Sequence, residues 1–211
     1  IYKIDKKLDK SLTKIYNKHM DRVRTNQNQK ILKNFFLIIL GSLILTISAK
    51  IKIPFYPVPM TMQTLVVLAI GALFGWKLGI ATISLYLFEG IIGLPVFAGT
   101  PEKGVGLVYF TGPTMGYLLG FIPAVFFSGL IKVNFKNNLI VRFILNFLLY
   151  AFSVSFIYIF GLIWLLNFIP IEKLWALGAL PFLPAEILKI SILAIFTTIL
   201  SKDFLSWRSL R

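Results

Sequence analysis

No cysteine occurs among the 211 residues, which removes disulfides, thiolate nucleophiles and cysteine metal sites together. Histidine occurs once, as His19, and there are only eight acids, so little material exists for a metal centre of any kind. No serine has a plausible histidine partner for nucleophilic catalysis, because that one histidine lies on a polar N-terminal arm. A G-x-x-x-x-G-K-[ST] phosphate loop is missing too. The nearest string, Gly99-Thr100-Pro101-Glu102-Lys103-Gly104, lacks the lysine and hydroxyl after its last glycine. Charge is scarce as well, at 14% of residues where soluble proteins carry roughly a quarter. These absences exclude ATP hydrolysis by this chain and point to a protein that is not an enzyme and needs no cofactor.

What is abundant is apolar: 57% of the residues, twenty of them Phe. A formal charge of +14 suggests nucleic acid in a soluble protein, yet the positive residues here sit between apolar runs, and no nucleic-acid motif is present. A membrane protein that contacts lipid and no nucleic acid explains both features.

Residues 1–33 form a basic arm with ten Lys or Arg against three Asp. Ile4, Leu8, Leu12, Ile15, Met20 and Val23 recur at spacings of three to five, as in a loose amphipathic helix. The arm either lies on an anionic leaflet or is a solvated tail. It is expected not to be a signal peptide, since no short apolar core with a cleavage site follows its basic start.

Apolar runs then follow at 31–49, 61–75, 78–92, 114–131, 143–169 and 184–200. Each approaches the ~20 residues that cross a hydrocarbon core. The fold class predicted is an all-α membrane domain over 34–211, with six transmembrane helices. Trp76 and Lys77 are expected to join the second and third in a tight hairpin. Two connections differ from the rest: Ile53–Met60 carries three prolines, and Gly93–Gly112 combines repeated glycines with Pro95 and Pro101. Both fall on one side of the membrane in a six-helix count, either as lids over a site or as ordinary surface loops. Segments of that kind persist at membrane depth only when buried in protein or lining a cavity.

Lysine and arginine set the orientation. One side receives the arm, Lys77, Lys132, Lys136, Arg142, Lys202, Arg208 and Arg211. The other receives only Lys50, Lys52, Lys103 and Lys173. Both termini are therefore expected in the cytoplasm, with the two unusual loops facing outward.

An acid or lysine at mid-helix costs ~2.5–3.5 kcal/mol on insertion scales, so each needs a partner or a function. Glu186 and Lys189 lie three residues apart on one helical face, and Glu186 falls near the positive end of the helix dipole. They form either a binding pair with one acceptor and one donor, or a structural ion pair. Glu89 either lines the same cavity or sits in the headgroup layer. Gln63, near an outer helix end, can hydrogen-bond a ligand or a neighbouring helix.

Three stretches resemble one family, the BioY-type biotin transporters, which are S components of energy-coupling-factor (ECF) importers. They are Pro57-Val58-Pro59-Met60-Thr61-Met62-Gln63-Thr64-Leu65; Gly93-Leu94-Pro95-Val96-Phe97-Ala98-Gly99, continuing at Gly112-Pro113-Thr114-Met115-Gly116-Tyr117-Leu118-Leu119-Gly120; and Pro181-Phe182-Leu183-Pro184-Ala185-Glu186-Ile187-Leu188-Lys189. Their order and spacing cover about residues 34–200. The resemblance implies a component of the plasma membrane that captures biotin from outside beneath its first and third loops. It implies that Glu186 accepts from the ureido N–H groups and that Lys189 donates to the ligand. Gln63, Glu89, Phe97, Gly99 and Tyr117 would complete the site. It further implies an ECF transmembrane coupling protein and a pair of ATPases as partners, docked through small residues on the first helix, here Gly41, Ser42, Thr46 and Ala49. The chain departs from the family pattern at Glu186, where the family has Asp, at Ala185 in place of glycine, and at Thr100-Pro101-Glu102-Lys103 in the third loop. The Glu186 change keeps open an S component for a different vitamin; a structural membrane subunit without a ligand is the remaining alternative.

Overall fold

The computed structural model describes residues 27–53, 56–130 and 138–200. The amphipathic arm with His19, the loop lysines Lys132 and Lys136, and the tail carrying Lys202, Arg208 and Arg211 lie outside the described residues. Contacts divide the chain into two units, Ile1–Leu37 and Ile38–Arg211. Residues 27–37 of the first are helical and expose Ile31, Leu32, Phe35 and Phe36.

The described residues contain eight helices. In chain order they are α1 Gln27–Lys50, α2 Gln63–Phe74, α3 Trp76–Ile91, α4 Leu107–Phe110, α5 Met115–Leu130, α6 Leu139–Leu165, α7 Ile171–Gly178 and α8 Leu183–Ile199. Six match the predicted apolar runs to within a few residues, and α4 and α7 are short additions in the connections. α6 starts four residues earlier than expected because the Asn138 side chain accepts from the Ile140 and Val141 amides, at 2.9 and 3.3 Å. α2 and α3 meet at Gly75 alone, whose φ of 81° turns the chain where a side chain would be strained. Trp76 and Lys77, expected as the joint, are instead the first residues of α3.

Thr61, predicted to begin a helix, lies in a strand. β1 Lys52–Ile53 and β2 Met60–Thr61 pair antiparallel, with Lys52 opposite Thr61 and Ile53 opposite Met60. The ladder closes the proline-rich connection on itself and delivers the chain to the start of α2. An all-helical domain thus carries one two-residue ladder, at the place where prolines forbid helix.

α1 and α6 are each long and apolar enough to cross a membrane, and α7 with α8 form a further such stretch bent by 43°. α2 and α5 are shorter apolar helices. At 1.5 Å per residue the 12 residues of α2 extend only ~18 Å, less than the ~30 Å of a hydrocarbon core.

α5 is the hub and packs on α2, α3 and, most extensively, α6. Small residues set the distance. A Cβ on Gly116 would lie 2.4 Å from the Phe160 carbonyl oxygen, and one on Gly120 would lie 2.6 Å from the Ile157 Cα. This small-xxx-small spacing brings two backbones into contact without a hydrophobic force between helices.

α1 uses its small residues in the same way. Gly41, Ser42 and Ala49 are buried against the chain's own helices rather than presented outward. A Cβ on Gly41 would lie 2.7 Å from Thr82 Cγ2, and the Ser42 hydroxyl donates to the Glu89 carboxylate. Thr46 is half-buried and its hydroxyl donates to the Ser42 carbonyl at 3.0 Å. Leu45, a large residue inside the stripe, is fully buried. The outward face of α1 carries Leu43, Ile44 and Ile47.

Replacing Gly120 by Leu pushes four carbons into the α6 backbone, and core overpacking costs about 1–3 kcal/mol. The expected outcome is a lower melting temperature of the detergent-solubilised protein, with Leu119→Ala, outside this contact, leaving it nearly unchanged.

Candidate functional site

The site is built where the start of α8 meets the start of α2. Pro184 occupies the first turn of α8, where its missing N–H is harmless, and Glu186 follows in that same turn. Lys189 comes one turn later on the same face. Both side chains are buried, at 4% exposure each. The Lys189 ammonium lies 2.8 Å from Glu186 Oε1. It also donates to Thr64 Oγ1 at 3.0 Å and to the Thr61 carbonyl at 2.6 Å. Thr64 Oγ1 in turn donates to Glu186 Oε1 at 2.9 Å. An ammonium has three donors, and all three are taken within the protein.

Glu186 is left with one free valence. Oε1 receives two hydrogen bonds, whereas Oε2 is buried without a partner. Glu186 is at the same time part of the wall of a cavity enclosing about 560 Å³ of empty space, its mouth included. An unpaired carboxylate oxygen in an apolar surrounding is costly unless something donates to it. The arrangement can therefore accept N–H or O–H groups from a ligand.

The two unusual loops form the rest of the wall. Val58, Pro59, Met60 and Thr61 come from the first, and Ala98 and Tyr109 from the second. Tyr117, Phe121, Tyr158 and Phe182 supply an aromatic lining from the helices. The second loop is held by donors aimed at its carbonyls. Tyr86 Oη reaches Val96 O at 3.1 Å, Tyr109 Oη reaches Ala98 O at 2.8 Å, and Trp164 Nε1 reaches Gly112 O at 3.0 Å. Burial pushes the Tyr109 phenol up, so it stays protonated and keeps donating.

Of the residues singled out from sequence, Gln63, Tyr117 and Glu186 lie together on the cavity wall. Gln63 Nε2 donates to Tyr86 Oη at 2.7 Å, and Tyr117 Oη donates to Gly178 O at 2.7 Å. Lys189 stands behind the wall and holds Glu186 and the α2 start. Glu89 is not on the wall; half-buried near the end of α3, it accepts from Ser42 on α1. Phe97 is buried beneath the loop and packs against Tyr86, Tyr109 and Phe110, with ring centroids 5.2, 4.8 and 5.4 Å apart. Gly99 shapes the loop through its φ of 80° and does not face the cavity. Sequence reasoning passed over Thr64, although it sits inside the first motif. Tyr158 was passed over because one tyrosine in a Phe-rich apolar run carries no spacing signal.

These features define a protein of apolar helices with a cavity walled by two irregular loops and an aromatic lining. The family model described as "BioY family" matches residues 18–205, and the chain belongs to that family. It is 33% identical over 159 residues to a probable biotin transporter BioY of Pyrococcus horikoshii, covering 74% of this chain and 89% of that one. It is likewise 33% identical over 165 residues to the biotin transporter BioY of Thermotoga maritima, covering 75% and 90%. The crystal structure of an S-component for biotin from an ECF-type ABC transporter superposes with a TM-score of 0.66 at 25% identity, over 81% of this chain and 92% of that one.

Breaking a buried pair by removing one partner costs about 3–5 kcal/mol, whereas replacing both by apolar groups is often close to neutral. Lys189→Met is expected to lower the melting temperature in detergent sharply, and Glu186→Leu with Lys189→Met to recover most of the loss.

Proposed function

We propose that this chain captures biotin and admits it to the membrane as the S component of an ECF-type importer. The observation that carries this reading is the buried, unpartnered Glu186 Oε2 on the wall of an aromatic-lined cavity. Biotin's ureido group offers two N–H donors to such an acceptor, and its apolar chain suits the aromatic lining. Lys189 holds the carboxylate in place, and Gln63 and Tyr117 shape the wall. Membership of the BioY family supports this cargo, since the curated relatives are named as biotin transporters.

The six longer helices are the membrane spans in this reading, with both termini cytoplasmic and the loops around 57 and 98 facing outward. The distribution of Lys and Arg supports that orientation. The short α2 and α3 fit it if the closed ends of their hairpin lie within the thickness of the protein rather than at a lipid boundary. A plasma membrane location, a transmembrane coupling protein and an ATPase pair complete the proposal, because this chain has no nucleotide motif of its own with which to drive uptake.

Isothermal titration of the purified protein with biotin tests the cargo. One-to-one binding is expected, and Glu186→Ala should weaken it by about 2–5 kcal/mol, roughly thirtyfold or more. A well-folded wild type that ignores biotin and binds another vitamin from a panel would replace the cargo while keeping the class. Topology is read separately, because the chain has no native cysteine. In intact cells an impermeant maleimide should label Glu102→Cys, and it should label Lys77→Cys only after permeabilisation.

A further inference from the structure

Lys50 is the last residue of α1, and its side chain crosses to the second of the two loops. The ammonium donates to Phe97 O at 3.0 Å, Thr100 O at 3.1 Å and Thr100 Oγ1 at 2.9 Å. Thr100 Oγ1 itself donates to Phe97 O at 2.7 Å. One side chain therefore spends all three donors on two loop residues, and both of those are buried. The loop's other anchors, Tyr86 on α3 and Tyr109 on α4, hold the carbonyls of Val96 and Ala98. Among these ties, Lys50 is the one that comes from α1.

We propose that Lys50 is a latch, a positioning residue that fastens the end of α1 to residues 97–100 and so keeps the loop closed over the cavity. The geometry explains why the tie is specific. The carbonyls of Phe97 and Thr100 belong to buried residues, where an unpaired acceptor carries a desolvation penalty. Without the ammonium, Phe97 O keeps only the donors of Thr100 and the Thr100 carbonyl loses its donor. Thr100 O then regains a partner by swinging toward water, and that motion carries Ala98 off the cavity wall. A displacement of the α1 end has the same effect, because the donors leave with the helix.

The consequence for cargo rests on the reading of the cavity given above, whereas the latch itself does not. Loop opening is measured on the full chain in detergent with Val96→Cys, a buried position off the cavity wall, as the single labelling site. Lys50→Met is expected to speed maleimide labelling about tenfold or more. Lys50→Arg, which keeps charge and donors, should stay within about threefold of wild type. Thr100→Val, which removes one acceptor of the ammonium together with the hydroxyl's own bond to Phe97 O and leaves the helix untouched, should give an intermediate rate and serves if Lys50→Met does not fold. On the Val96 background, Lys50→Met should also speed biotin release by a similar factor with association little changed. Labelling rates unmoved by both Lys50→Met and Thr100→Val would overturn the latch. Faster labelling in a protein that binds no biotin would uphold the latch and remove the cargo reading.

Discussion

Two opposite charges buried in an apolar protein draw their hydrogen-bond partners chiefly from within it. Lys189 finds them on α2 as well as on its own helix. Its donors reach Thr64 and the Thr61 carbonyl besides Glu186. The start of α2 is thereby fixed against the start of α8, and the β1–β2 ladder fixes the chain that leads into α2. The cavity opens where these elements meet, so its position follows from how the ammonium is satisfied. Its size follows from the close approach of α5 and α6 at Gly116 and Gly120, which leaves the aromatic residues of those helices to line one side.

The division of labour within the pair also follows from counting donors and acceptors. The ammonium has none to spare, whereas the carboxylate has one oxygen left over. A structural ion pair would satisfy both partners. This one satisfies the cation completely and leaves one carboxylate oxygen buried without a partner, on a residue that lines the cavity. A buried carboxylate oxygen without a partner carries a cost in stability, and on the function proposed above a ligand donor would complete it.

Much of this was legible in the sequence. The long apolar runs carry the six longer helices, and the rarity of charge within them makes Glu186 and Lys189 conspicuous. Proline and glycine mark the two loops that meet over the cavity. Other features leave no mark on a single sequence. A glycine-containing stripe on α1 looks the same whether it receives a partner or its own α3, since small residues permit both. Glu89 and Glu186 are both isolated acids near helix ends, and only the fold shows that one meets Ser42 and the other a cavity. Tyr158 and Thr64 needed the fold as well, because a hydroxyl within an apolar run serves equally to bond its own helix or to face a ligand.

The half-satisfied pair has an electrical consequence. Glu186 and Lys189 cancel, so the deep end of the cavity presents a directed acceptor without a net charge. A neutral head group that donates hydrogen bonds can settle there with no counter-ion and little desolvation penalty. A head group bearing a formal charge would unbalance the pair in a low-dielectric surrounding. For a molecule with a neutral ring at one end and a carboxylate at the other, the site therefore reads polarity along the ligand's length. On the reading proposed above, the ring would enter first and the ionised end would stay near the mouth.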